Sequence, residues 1–308
     1  MDVRKMDFCV RVPGSCGELL QGWQYGEPFL VTCPIARYTT VSVSSAFQER
    51  RGLGFKAERA LQLTLSALGR RHFPYGLQLQ SELPQSKGMA SSSADIAAVA
   101  AAVSFALQRP LTVRQILSLA VQIEPTDAVF LRDIVRLNQV TGRILAVYRD
   151  LPYLRLSIFD TGGTVDTEAC YHTAALQKRN RDWRPYLLKM RQGEREMAAA
   201  AAQSAVWQDE VLPKPCLRSF LKKARSLGAL GLTAAHSGTV LGVLWPSYME
   251  KSAIAAAAAA LQRSFPELTH LGLTAMRPGG IEIFIEANEE KKEDKDGRRS
   301  FRAWRQYL

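Results

Sequence analysis

Leu83-Pro84-Gln85-Ser86-Lys87-Gly88-Met89-Ala90-Ser91-Ser92-Ser93-Ala94-Asp95 is the stretch on which the fold turns. The alternating run Leu77–Leu83 ahead of it reads as a strand that stops at Pro84, because proline cannot donate to a sheet ladder. From Ser91 the chain is Ala-rich and almost uncharged as far as Leu107, which predicts a helix buried on most sides. The first turn of a helix has N–H groups without intrahelical partners and carries the positive end of the macrodipole, so it attracts anions. Gly88 lets backbone come close to a phosphate, Lys87 adds charge, and serine hydroxyls bind phosphate or Mg2+. Taken alone, the same serines serve equally well as a cap on a buried helix.

Outward from this segment the chain alternates strands and helices. Phe8–Val12 reads as a strand ending at Pro13-Gly14, and the β-branched run Tyr38–Ser45 as another. Lys56–Arg71 has helical spacing of Leu61, Leu65 and Leu68, and Thr112–Ile123 a second helix capped by Thr112. Two strand-like runs, RILAVY (143–148) and LRLSIFD (154–160), flank Leu151-Pro152, where a domain change is expected. Beyond it come a long helix over 183–208, a helix over Leu217–Leu227, and strands Leu232–His236 and Thr239–Trp245 separated by Ser237-Gly238. A helix over Tyr248–Phe265 and strands Leu271–Met276 and Ile281–Glu286 follow. Strand–helix–strand–strand–helix–strand is the order of a ferredoxin-like domain. The expected division is therefore 1–155, 156–287, and a solvated charged tail over 288–308.

Composition narrows the function classes. With 308 residues, 47% of them hydrophobic, the chain buries a real core and is neither disordered nor a small disulfide scaffold. Five scattered cysteines without a C-x-x-C pair argue against a structural zinc site or a disulfide framework. The start lacks an apolar signal core, and the longest apolar run, Ile96–Leu107, is too short to span a bilayer, so a cytoplasmic protein without membrane association is expected. The net charge of +11 suits a phosphorylated substrate as well as nucleic acid. The basic residues are spread out and no RNP-type aromatic motif accompanies them, which weighs against nucleic acid. Gly52-x-Gly54-x-x-Ala57 follows no hydrophobic strand and reads as a turn, and no P-loop pattern occurs.

Pro13-Gly14, the serine-rich helix start and Ser237-Gly238, in that order, resemble the three motifs of the GHMP kinases (galacto-, homoserine, mevalonate and phosphomevalonate kinases). The second motif of that family, Pro-x-x-x-Gly-Leu-Gly-Ser-Ser-Ala-Ala, aligns without gaps on Pro84–Ala94, with Ala90 at its second glycine and Ser93 at its first alanine. Within the family, the blocks PGSCGELLQGW (13–23), TCPI (32–35), KGMASSSADIAA (87–98), EPTD (124–127), VLPKP (211–215) and AHSGTVLG (235–242) resemble the L-threonine kinases of adenosylcobalamin synthesis.

The resemblance implies a two-domain α+β fold, with an N-terminal domain of a type also found in ribosomal proteins and a ferredoxin-like C-terminal domain. It also implies ATP and Mg2+, with free L-threonine as acceptor. Lys87, Gly88, Met89, Ala90 and Ser91, after Pro84, would cradle the triphosphate, and Ser92 matches the serine that reaches Mg2+ in relatives. Asp127 falls where galactokinase and mevalonate kinase carry a catalytic aspartate, and Glu124 would supply a carboxylate to the metal. Without the resemblance, Glu-Pro-Thr-Asp reads as a helix end with an Asx-turn. Ser237, Gly238 and Thr239 would form the third motif, Thr239 on the substrate side. Glu18 is either a holder of the substrate amino group or an exposed loop carboxylate, and Ser93 is expected to bond its own backbone. His236 reads as structural before catalytic. The rival readings are another GHMP kinase, such as a homoserine kinase, and a basic RNA-binding protein without turnover.

Overall fold

The computed structural model describes residues 7–46, 48–163, 165, 177, 179–214 and 216–285, together with the backbone of 304–306. Strands β1 (Phe8–Gln24) and β2 (Glu27–Ser44) form one long antiparallel hairpin. Its turn is Tyr25-Gly26, both at positive φ, the geometry that matches strand twist in two-residue hairpins. The expected stop at Pro13-Gly14 is not a stop. The ladder shifts register between Pro13 and Ser15, between Ser15 and Glu18, and between Glu18 and Leu20, so the strand carries its proline and glycines at bulges.

The rest of the first half covers this hairpin. The short β3 (Arg50–Arg51) and β4 (Gly76–Ser81) extend the sheet, with α1 (Phe55–Ala67) between them in sequence. Helix α2 (Ser91–Ala106) packs on β1, β2 and α1, and nearly all its residues are buried, which is why it carries so little charge. Helix α3 (Val113–Ala120) starts with a full capping box: the Gln115 N–H donates to the Thr112 hydroxyl and the Thr112 N–H to the Gln115 side chain. Strands β5 (Ile134–Leu137) and β6 (Ile144–Tyr148) follow, β5 pairing with β2.

The second half begins at β7 (Arg155–Asp160). The long helix expected over 183–208 is two helices, α4 (Arg184–Lys189) and α5 (Glu194–Gln208), separated at Gly193, whose φ of 118 no helix accommodates. Then come α6 (Leu217–Ser226), β8 (Gly231–Ala234), β9 (Val240–Trp245), α7 (Lys251–Ser264) and β10 (Thr269–Ala275). The strands lie in the order β10-β7-β9-β8, all antiparallel, which is the ferredoxin-like arrangement. Phe159, Phe220, Leu232, Trp245 and Leu261 fill the core between this sheet and its helices.

The two halves share one sheet, because β8 meets β1 at Glu18 and Ala234. Strand β11 (Glu282–Ile285), read from sequence as the end of the second half, returns to pair with β1. The backbone of β12 (Trp304–Gln306) pairs with β11, inside the stretch expected to be a solvated tail; residues 288–303 and 307–308 of that tail lie outside the described residues. Among the described residues no helix is long and apolar enough to cross a membrane.

Candidate active site

The loop Lys87–Ala90 is held by backbone from both halves of the molecule. The Ser15 N–H donates to the Met89 carbonyl (2.9 Å) and the Gly17 N–H to that of Gly88 (3.3 Å), both from the bulged part of β1. From the other side the N–H groups of Thr239 and Val240 donate to the Lys87 carbonyl at 3.0 and 3.1 Å. Gly238 permits this approach: a Cβ there would lie 2.3 Å from the Lys87 carbonyl oxygen and from the Gly88 nitrogen. Gly88 itself is at φ +78, and its Cβ would sit 2.3 Å from that of Ala235. The loop delivers the chain into α2 through Ala90, which caps the helix in the left-handed region at φ 55. Ala90 thus holds a conformation that favours glycine while carrying a methyl group, at about 1–2 kcal/mol.

In front of the first turn of α2 lies a cleft of about 490 Å3. Gly88, Met89, Ala90, Ser91 and Ser92 line it, with Ser237 at one side and Phe55 and Lys56 from the start of α1 at another. Glu124 and Asp127 line the same cleft. They are fixed there by Ser93, whose hydroxyl accepts the Asp127 N–H at 3.0 Å and lies 3.4 Å from Glu124 Oε1, to which it donates. Ser93 was expected to bond its own helix; its hydroxyl instead ties α2 to the 124–127 turn. Lys56 forms an ion pair with the other Glu124 oxygen.

Asp127 Oδ1 is buried without a hydrogen-bond partner. Burial, and then the negative charges of Glu18 and Glu124, hold this carboxyl well above the usual carboxylate range. Asp95, one turn into α2, also lines the cleft and accepts a 2.7 Å hydrogen bond from the Thr39 hydroxyl. Its burial, reinforced by Glu124, lifts it to about 6. Once ionised, a carboxylate of raised basicity with an oxygen to spare is suited to receiving a proton.

The remaining expected residues lie around the cleft rather than in it. Pro84 is exposed on the approach to the loop. The Lys87 ammonium turns to Asp160, 2.8 Å from its Oδ2, and donates to the Gly163 carbonyl at 2.9 Å. The Thr239 hydroxyl donates to Asp160 Oδ1 at 2.5 Å. Glu18 is not an exposed loop carboxylate: at 3% exposure it accepts hydrogen bonds from the His236 N–H and Nδ1 at 2.9 and 2.8 Å. The other ring nitrogen of His236 lies 3.3 Å from the Ser204 hydroxyl. Burial lowers the pKa of His236, so its ring is a neutral, structural partner of Glu18.

Among the described residues no three His, Cys, Asp or Glu side chains are arranged to hold a metal ion. What the cleft offers is the Ser92 hydroxyl and the Glu124 carboxylate. Hard oxygen donors in so small a number suit Mg2+, which takes its other ligands from water and substrate phosphates. Asp95, Asp160 and Lys56 were missed from sequence. Asp95 did leave a signal, as the one acidic residue in an otherwise uncharged helix, whereas Asp160 and Lys56 are ordinary charges at the ends of a strand and a helix.

The family model for the GHMP kinases N terminal domain matches residues 56–131, the segment from Lys56 through the phosphate loop to just past Asp127. The chain is 33% identical over 252 residues to an L-threonine kinase of Citrobacter freundii, covering 75% of this chain and 84% of the relative. It is 30% identical over 254 residues to an L-threonine kinase of Salmonella typhimurium, covering 75% and 81%. Its fold is similar to that of the Methanococcus jannaschii mevalonate kinase, with a TM-score of 0.67 at 13% identity over 87% of this chain and 98% of that one. With its motifs meeting at one cleft and relatives at this level of identity over most of their length, the chain belongs to the GHMP kinases, ATP-dependent phosphotransferases acting on small molecules.

Proposed function

We propose that the protein phosphorylates the side-chain hydroxyl of free L-threonine with MgATP, giving O-phospho-L-threonine and ADP. The observation that carries this reading is the Asp127 oxygen, buried and unpartnered, in the cleft that opens on the first turn of α2. The names of the two relatives, both L-threonine kinases, support the acceptor. On this reading the N–H groups of the loop and helix start, Gly88 to Ser92, bind the β- and γ-phosphates. Lys87, Pro84 and Gly238 shape that loop. Asp127 accepts the proton of the threonine hydroxyl as its oxygen bonds to the γ-phosphorus and the bond to the ADP oxygen breaks. Ser92 and Glu124 would hold Mg2+, which when bound neutralises charge on the transferring phosphoryl group. Ser237 closes the side of the cleft. Thr239 and Glu18 act from behind it, Thr239 through Asp160 and Glu18 by its charge on Asp127.

From the sequence resemblance, the product would enter synthesis of the aminopropanol linker of the adenosylcobalamin nucleotide loop, in the cytoplasm. The test is ADP release by the purified protein with MgATP and L-threonine, L-serine, L-homoserine or no acceptor, with the product identified by phosphorus NMR. Turnover with threonine well above the others is expected. Preference for homoserine would refute the acceptor, and the absence of acceptor-dependent ADP would refute the reaction.

A further inference from the structure

Lys87 sits in the phosphate loop, and a lysine in such a place is expected to reach into the cleft. It does not line the cleft; its ammonium is bound to Asp160 at the end of β7. Asp160 gathers further contacts at this point. Its Oδ1 accepts the Thr239 hydroxyl at 2.5 Å and the Gly162 N–H at 3.1 Å, while its Oδ2 meets Lys87 at 2.8 Å. Thr161, next in sequence, donates both its N–H and its hydroxyl to the Thr239 carbonyl at 3.0 and 2.9 Å. Thr239 in turn donates its N–H to the Lys87 carbonyl. Both the backbone and the side chain of Lys87 are therefore fixed from the ferredoxin-like half. Lys87 and these hydrogen bonds hold Asp160 below the usual carboxylate range although burial opposes this, so it is ionised in the pair.

We infer that Asp160 is a positioning residue for the phosphate loop, acting through Lys87 and Thr239 to hold the Gly88–Ser92 backbone in its anion-binding form. The inference rests on the reading that this loop receives the triphosphate of ATP. A charged hydrogen bond contributes about 1.5–3 kcal/mol, roughly 10- to 100-fold in an equilibrium constant. Asp160→Asn keeps oxygen and shape and removes the charge that Lys87 requires.

The experiment is calorimetric titration of MgATP into the full-length protein, its Asp160→Asn and Lys87→Met variants and the double variant, with steady-state KM values for both substrates. Each single substitution should weaken MgATP binding about tenfold, and the double no more than the worse single, because both break one pair. The KM for the acceptor should stay within about twofold. Ile254→Val, on the buried face of α7, is the control; it should lower Tm without changing ATP affinity, which separates general destabilisation from positioning. If Lys87 met the phosphates directly, Asp160→Asn would leave binding unchanged or tighten it while Lys87→Met still weakened it. That result overturns the inference. Wild-type protein that binds no MgATP would overturn the nucleotide reading itself, and is distinguishable because it precedes any comparison of variants.

Discussion

Replacing Asp95 by asparagine should stabilise the protein, and only above a defined pH. Asp95 is 8% exposed in α2, within reach of the charge on Glu124, and burial with that charge raises its pKa from 3.8 to about 6. The folded state therefore holds the Asp95 proton to higher pH than the unfolded chain does. Stability is retained below the unfolded value and lost as pH climbs through the window between the two, 3.8 to about 6. The complete loss, for a shift of that size, is about 3 kcal/mol. Asparagine keeps an oxygen for the Thr39 hydroxyl, which donates at 2.7 Å, and has no charge to desolvate. Urea unfolding of Asp95→Asn and wild type, compared at equal m-value, should give no difference near pH 4 and a gain of about 1–3 kcal/mol for the variant near pH 7.5. Taking the difference between the two proteins at each pH cancels the titration of every other group. A pH-independent difference, or a variant less stable at neutral pH, would show that Asp95 ionises without penalty and that the cost of its burial beside Glu124 has been misjudged.

Asp127→Asn should lower turnover by about 10²–10⁴-fold, the usual contribution of a general base, while MgATP affinity measured by calorimetry stays near wild type; an unchanged rate would remove Asp127 from the mechanism. Ser92→Ala should shift the Mg2+ concentration needed for half-maximal activity upward, and a titration that overlays wild type would rule Ser92 out as a ligand. Ala90→Gly should stabilise the fold by about 0.5–1 kcal/mol in denaturant titration, because it relieves a left-handed alanine at the cap of α2. A loss of stability there would mean that the greater freedom of glycine in the unfolded chain outweighs the strain.

The sequence made the core elements legible where local chemistry and tertiary role agree. Helix α2 was readable because a helix buried on all sides must be apolar all round, and Thr112–Gln115 because a capping box is a purely local device. The errors fall where long-range pairing decides. Pro13 and Gly14 are local stop signals, yet they lie within a strand of 17 residues because bulges absorb them and bend the backbone onto the phosphate loop. Residues 183–208 look continuously helical, and Gly193 at φ 118 divides them. Strand Glu282–Ile285 has ordinary alternating sequence, and nothing local says that it pairs with β1, 271 residues away at Arg11 and Glu282. Of the candidate site, the loop, Glu124 and Asp127 were named from motif resemblance, and the fold brings them to one cleft. Lys56, Asp95 and Asp160 gain their roles only from the partners that folding brings to them.

The electrostatics of the cleft run opposite to those of the chain. The protein carries a net charge of +11, which by itself invites an anionic ligand. Among the described residues, the charged side chains that line the cleft are one lysine, Lys56, and three acids, Asp95, Glu124 and Asp127. Lys56 is already committed to Glu124, and the nearby Lys87 to Asp160. A bare triphosphate would meet helix-start N–H groups on one side and carboxylates on the other, and the second encounter is repulsive over distances short enough to escape screening. The overall excess of arginine and lysine does not remedy this, since charges more than about 10 Å away across solvent are largely screened at physiological salt. On the proposed reading the missing positive charge arrives with the nucleotide as its magnesium complex. Burial, and after it the charge of Glu124, raises the pKa values of Asp95 and Asp127, and the same carboxylates then welcome the cation. That burial and charge keep the ionised Asp127 basic enough to take a proton.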